Sequence, residues 1–114
     1  MSAVYVNNIV INVGADFSQT FFLEGTATNS ALDLSGYTVS AQMRKWSGSS
    51  TAITFTTEKP FPQTSGTLTL SLTSVQTSSI KSGRYVYDVI ITDSNSIKSR
   101  VIEGMVLVRE GVTR

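Results

Sequence analysis

The side chains best suited to acid–base chemistry in this sequence are carboxylates, because it contains no histidine and no cysteine. It therefore cannot form a Ser-His-Asp or Cys-His nucleophile, and it offers zinc neither imidazole nor thiolate. The eight acidic residues are Asp16, Glu24, Asp33, Glu58, Asp88, Asp93, Glu103 and Glu110. A glycosidase needs two carboxylates about 5–10 Å apart in a cleft, and Asp88 and Glu103 could approach this closely from neighbouring strands. Arg100 is available as a partner, so a structural salt bridge is the prediction that we favour.

Two further groups of residues have the chemistry of a binding site. Arg44, Lys45 and Trp46 bring cationic and aromatic groups together at a strand end, where they could stack on a sugar or a base. An exposed hairpin tip with Trp46 over the end of the core, or an anchor in a protein interface, explains the same residues, and we favour these two. Asp93 and Asn95 offer oxygen ligands but lack the spacing of a calcium loop, so we expect no metal and no cofactor.

The composition argues against several classes of partner. The 114 residues carry a net charge of +1, which gives no bulk attraction to nucleic acid or to an anionic membrane. No apolar run approaches the roughly 20 residues that span a bilayer, and the start lacks the pattern of a cleaved signal. No linker, internal repeat or low-complexity tract divides the chain. We therefore expect residues 1–114 to form one domain.

The stretch from Ile80 to Thr92 is the strand around which the other elements are arranged. Alternation with a period of two places four of its residues on one face: Tyr85, Tyr87, Val89 and Ile91. Gly83 permits a tight bend just before them. The pattern Gly-x-Tyr-x-Tyr is typical of the tyrosine corner of immunoglobulin-like sandwiches, with Tyr85 as the corner and Tyr87 where the core cysteine stands. The alternative is an ordinary strand with two core tyrosines.

The rest of the chain divides into short strands bounded by turn residues. The predicted strands are Val4–Val13 (one bent strand or two short ones), Phe17–Glu24, Tyr37–Trp46, a return strand through Ile53 and Phe55, Thr67–Thr73 and Ser99–Glu110. Ser74–Ser79 is predicted to be a short helical turn that crosses one end. Seven or eight strands with turns about every 8–12 residues predict an all-β fold, an immunoglobulin-like antiparallel β-sandwich.

The first and last strands are apolar on both faces, which is unusual for the outer strands of a monomer. Strict alternation in the last strand places Val101, Met105 and Leu107 on one face and Ile102, Val106 and Val108 on the other. We expect another subunit, or a loop of the same chain, to cover the second set. The predicted interface residues are Tyr5, Val10, Phe22, Trp46, Ile102, Val106, Val108, Arg109 and Arg114. Residues 3–13 and 110–114 would be intersubunit arms, and Gly104 marks either a bulge or close packing on its own sheet.

A succession of segments resembles the small virion structural proteins of tailed phages, especially contractile-tailed phages of cyanobacteria. The segments are Asp16–Phe21, Leu34–Thr38, Gln42–Lys45, Gly83–Val89, Val101–Gly104 and Arg109–Arg114. They are also similar to the N-terminal immunoglobulin-like domain of some phage baseplate upper proteins. The resemblance implies a non-enzymatic virion component that binds copies of itself and other virion proteins, without sequence-specific nucleic acid or membrane contacts.

Within the particle, a place in the tail, neck or baseplate is favoured. The alternatives are a capsid decoration (cement) protein on the head and a receptor- or carbohydrate-binding module.

Overall fold

The computed structural model describes residues 5–23, 34–59 and 66–112. Its strands are β1 (Tyr5–Val6), β2 (Ile9–Asn12), β3 (Phe17–Phe22), β4 (Thr38–Arg44), β5 (Ala52–Thr54), β6 (Thr56–Glu58), β7 (Thr67–Leu72), β8 (Gly83–Thr92) and β9 (Lys98–Arg109). One short helix, α1 (Ser74–Ser78), lies between β7 and β8, as predicted. The predicted all-β fold is confirmed.

The strands form two sheets in an immunoglobulin-like order. The first sheet runs β1–β9–β8–β4–β5, with β2 also paired to β9, and the second runs β3–β7–β6. All pairs are antiparallel except those of β1 and β2, which run parallel to β9. Tyr5 is aligned with Ile102 and Ile9 with Val106, so β1 and β2 share one register and form one strand interrupted at Asn7 and Asn8. The first segment, predicted to be one bent strand or two short ones, thus consists of two short strands in line with each other.

The core lies between the sheets and contains the inward residues of the alternating strands. Leu68, Leu70 and Leu72 of β7 are all buried, and so are Tyr87, Val89 and Ile91 of β8. The chain changes sheets at Phe55, between β5 in the first sheet and β6 in the second. The Phe55 ring lies 6.0 Å from Phe17 and 6.2 Å from Tyr87, centroid to centroid. This row of rings connects the two sheets where antibody domains have a disulfide.

The predicted tyrosine corner is present at the start of β8. The Tyr85 hydroxyl donates a hydrogen bond of 2.8 Å to the backbone oxygen of Lys81, four residues upstream. Gly83 has a φ of +142°, a conformation that side-chain-bearing residues rarely adopt. The Lys45 ammonium lies 4.9 Å from the centre of the Tyr85 ring and so covers the corner. The alternative of an ordinary strand start is therefore excluded.

The assignment of faces in β9 was wrong and is corrected by the structure. Ile102, Val106 and Val108 are buried, with exposures of 0%, 0% and 2%, so they belong to the core of their own sandwich. Val89 pairs with Ile102 and Ile90 with Arg100, which leaves Val101 as an unpaired extra residue. This bulge shifts the alternation by one, because an inserted residue exchanges the two faces of everything beyond it.

Gly104 is the place where the N-terminal strand packs closely against β9. A Cβ atom there would lie 2.1 Å from the backbone oxygen of Asn7 and 3.1 Å from the Tyr87 ring. Gly104 pairs with Tyr87 without a register shift. Of the two explanations considered for this glycine, close packing on its own sheet is correct.

The turn between β2 and β3 is attached to α1 by a buried threonine. The Thr77 hydroxyl donates to the backbone oxygen of Ala15 at 2.9 Å and accepts from the Gly14 nitrogen at 3.1 Å. The Asp16 carboxylate accepts from the backbone nitrogen of Ser74 at the start of α1, at 2.7 Å. These bonds fix the crossing from the first sheet to the second, and Asp16 has a structural role in them.

Candidate protein-binding face

The outward side of the first sheet carries a group of exposed apolar side chains, which we call the outer face. Its members are Val6, Val10, Trp46, Val86, Met105 and Leu107, with exposures of 75%, 47%, 61%, 37%, 46% and 42%. Val10 is aligned with Leu107 and Val86 with Met105, so these four lie side by side on three neighbouring strands. Scattered surface hydrophobic residues are ordinary, but a contiguous group marks an interaction site.

The break between β1 and β2 shapes one border of the outer face. The Asn8 side-chain oxygen accepts a hydrogen bond of 3.0 Å from the backbone nitrogen of Met105. The Asn7 backbone oxygen accepts one of 2.5 Å from the Tyr87 hydroxyl, which comes from the core side. Burial raises the pKa of Tyr87 to about 12, since the charged phenolate would lose its hydration. Side chains therefore take part in holding the interrupted strand to the sheet.

Trp46 lies at the other border, in the hairpin between β4 and β5. A Cβ atom at Gly48 would be 3.4 Å from the indole nitrogen, so the ring rests on the backbone of its own turn. With 61% of its surface exposed, Trp46 does not cover the end of the core. It lines a shallow depression together with Val6, Val86 and Met105.

The cations next to Trp46 in sequence are engaged elsewhere. The Arg44 guanidinium donates to the backbone oxygen of Ser49 at 2.5 Å and to the side-chain oxygen of Gln42 at 3.1 Å. Lys45 covers the Tyr85 ring, as described above. A stacking site built from Trp46 and a neighbouring cation is therefore not assembled, and the indole is the aromatic member of the outer face.

A charged cluster borders the apolar residues on β8 and β9. Arg100 lies 3.3 Å from the Asp88 carboxylate and 3.6 Å from that of Glu103, and Asp88 and Glu103 are register partners. The predicted salt bridge is confirmed. The two acidic side chains are 38% and 45% exposed on the sheet surface, where an ion pair contributes little to stability.

The remaining predicted interface residues are dispersed. Phe22 is 73% exposed but lies on β3, in the other sheet. Arg109 is exposed and ends β9. Tyr5 lies in β1. Arg114 lies outside the described residues, as does the end of the predicted arm at 110–114. Val10 and Trp46 are the two predicted residues that do belong to the outer face.

Sequence reasoning missed Val6, Val86, Met105 and Leu107 as surface residues. The sequence does contain a usable signal, because it predicts that Glu103 is a cross-strand neighbour of Asp88. Those two charges must share the outward face, and alternation from Glu103 then places Met105 and Leu107 on the same face.

The described residues hold no group of three or more acidic side chains that could bind a metal ion. The Asp93 carboxylate accepts from the backbone nitrogens of Asn95 and Ile97, both at 2.9 Å, and thereby forms the turn between β8 and β9. Within the described part of the chain, no helix has the length and apolarity needed to cross a membrane.

No family model and no curated protein matches this chain. Two bacterial proteins are among the solved structures that resemble it. An internalin-like protein of Listeria monocytogenes has a TM-score of 0.44 and 12% identity, over 95% of this chain and 28% of its own length. The SrpA adhesin of Streptococcus sanguinis, solved as a point mutant, has a TM-score of 0.53 and 12% identity, over 90% and 54%. This chain spans about half of the adhesin and less than a third of the internalin-like protein. At this identity the adhesin supports the fold and nothing further.

Proposed function

We propose that this protein is a non-enzymatic structural component of a tailed-phage virion. It binds other virion proteins and copies of itself, and the outer face is the surface that it uses. The observation that carries the binding role is the contiguous row Val10, Leu107, Met105 and Val86, exposed on three paired strands. The resemblance of the sequence to small phage virion proteins supplies the biological setting.

The energetics of burial support a permanent partner for this face. Apolar surface contributes roughly 25 cal/mol per Å² when it leaves water, so covering these side chains stabilises an assembly. Left in water, the same group favours non-specific association. A permanent neighbour in a particle removes that risk.

The chemistry of the chain supports a role without catalysis. Histidine and cysteine are absent, and the acidic pair Asp88 and Glu103 is neutralised in part by Arg100 on an open sheet surface. No cofactor is required by this proposal. Within the particle we favour the tail, neck or baseplate over decoration of the head, and this preference rests on the resemblance alone.

Incorporation into particles tests the proposal. Met105→Asp and Leu107→Asp place a charge in the middle of the outer face, and each should reduce the number of copies per purified particle at least several-fold. Val75→Asp is the matched control, because Val75 is 80% exposed on α1, and it should leave incorporation unchanged. Deletion of residues 110–114 tests the C-terminal arm separately.

Absence of the wild-type chain from purified particles would overturn the virion role. Normal incorporation of both Asp variants would overturn the assignment to this face. Circular dichroism of each purified variant shows whether it is folded, so a folding defect is not mistaken for a lost contact.

A receptor- or carbohydrate-binding module is the second candidate, favoured by the exposed ring of Trp46 beside a depression. Aromatic rings of this kind can stack on sugar faces. On this alternative, the isolated chain binds specific members of a glycan array, and Trp46→Ala abolishes the binding. A chain that binds no glycan leaves the structural role as the explanation of Trp46.

A further inference from the structure

The charges on the outer face are unevenly divided. Asp88 and Glu103 share a single cation, Arg100, so this cluster has one negative charge in excess. Arg84 lies on the same face of β8, exposed, and has no ion-pair partner among the residues that the structure describes. The face thus has an acidic side and an unpaired cation.

Val86 lies midway between these charges along β8. Arg84 precedes it by two residues and Asp88 follows it by two, which places each about 7 Å from Val86 on the same face. Val86 is aligned with Met105. Asn8 is in the matching row of the N-terminal strand, with Val6 and Val10 on either side of it.

We propose that the outer face binds the outer face of a second copy of this chain, related by a two-fold axis through the Val86–Met105 row. The axis lies in the plane between the outer faces of the two copies and runs perpendicular to their strands. Each strand therefore faces its counterpart in the other copy, and the two run in opposite directions. This inference rests on the proposed function, because it names the partner of the same face.

The two-fold arrangement brings matching groups together on three strands. Val86 and Met105 each meet their own counterpart, and Val10 of one copy meets Val6 of the other. Arg84 of each copy lies opposite Asp88 of the other, next to the cluster with the excess negative charge. The contact is therefore self-complementary in apolarity at Val86, Met105 and the Val10–Val6 pairs and in charge at the Arg84–Asp88 pairs, whereas Leu107 of each copy lies opposite Glu103 of the other.

Arg44 sets a limit on the strength of this contact. It lies in the same row as Val86 and meets its own counterpart, although its guanidinium is bound to Ser49 and Gln42 of its own hairpin. Five strands spaced about 4.8 Å apart and about seven residues long give roughly 500 Å² per copy, below the ~800 Å² of a standard interface. We therefore expect a weak dimer, with a dissociation constant of about 10 µM or higher.

Charge exchange between two variants tests the arrangement. Arg84→Asp places two acidic residues opposite each other, and Asp88→Arg places two cations opposite each other. Sedimentation equilibrium from about 5 µM to 1 mM should show dimers of the wild type, and at least about tenfold weaker self-association of each variant. In an equimolar mixture both contacts again join opposite charges, one with its signs exchanged and the other as in the wild type, so heterodimers should form within about threefold of the wild-type affinity.

Glu58→Lys is the control for charge alone, because Glu58 is exposed on the outward side of the other sheet, and it should dimerise as the wild type does. Met105→Arg, which places two cations at the axis, is a second variant in case one of the exchanged pair does not fold. A wild type that stays monomeric up to about 1 mM overturns the inference, and so does a mixture no better than its components.

These outcomes are separate from those of the proposed function. The dimer is measured on the isolated chain, whereas the virion role depends on the presence of the chain in purified particles. A monomeric chain that is nevertheless found in particles overturns the two-fold contact alone, since its outer face must then bind a different protein.

Discussion

Tyr87 of β8 takes part both in the core and in the attachment of the N-terminal segment. Its ring continues the aromatic row from Phe17 and Phe55, and its hydroxyl binds the Asn7 backbone oxygen at 2.5 Å. One residue therefore connects the second sheet, the first sheet and the N-terminal strand. Its place in the core was predicted from the sequence, but its bond to Asn7, 80 residues away, has no local signal.

Tyr87 should make stability fall at alkaline pH. Burial raises its pKa from 10.0 to about 12 in the folded state, so the folded chain holds this proton more tightly than the unfolded chain does. The contribution is complete below about pH 10 and is lost as the pH rises toward 12, a decrease of roughly 2–3 kcal/mol. Urea unfolding at pH 9 to 12 measures it, and Tyr87→Phe should lack this decrease. Equal pH dependence in both proteins would contradict the assignment.

The tyrosine corner gives a second prediction at this scale. Tyr85→Phe removes only the hydroxyl that binds Lys81, so we expect a loss of about 1 kcal/mol in the free energy of unfolding. Tyr37→Phe is the matched control, because the Tyr37 hydroxyl has no hydrogen bond with the described residues, and it should change stability far less. If the two variants proved equally stable, the corner bond would have no energetic role.

Among the elements, β4 and β7 were predictable because each alternates cleanly between apolar and polar residues, and β8 was predictable because aromatic and β-branched residues dominate it. The N-terminal strand was harder, since its parallel pairing with β9 is a long-range contact. The last strand was misread for a specific reason. One extra residue at Val101 exchanges the faces beyond it, and because Val101 and Ile102 are both apolar, the residues at the bulge do not themselves reveal it; only the charge of Glu103 indicates the outward face beyond it.

Adjacent residues of β9 provide a direct test of the corrected faces. Val106→Asp places a charge in a fully buried position, and we expect it to cost on the order of 4 kcal/mol or more, enough to unfold a domain of this size. Leu107→Asp changes an exposed position and should cost no more than about 1 kcal/mol. Thermal unfolding followed by circular dichroism compares them. The reverse order of stability would restore the faces that strict alternation gives.

For the whole molecule, the sequence predicts the sandwich and argues against most enzymatic chemistry, but it does not locate the binding surface. The outer face is assembled from β1 and β2, from β8 and β9, and from the hairpin that carries Trp46, and these three parts are distant in sequence. Only the pairing of the strands shows that Val10, Leu107, Met105 and Val86 are neighbours. The charged cluster was predicted because opposite charges on adjacent strands are a strong pairing signal.

The measurement that tests the central claim most directly is a cryo-electron-microscopy map of the native particle. We expect repeated density for the sandwich in the particle, with the side of the first sheet that carries Met105 and Leu107 covered by a neighbouring protein in every copy. A map in which the sandwich is present with this face open to solvent, or in which it is missing from the particle, would contradict the account.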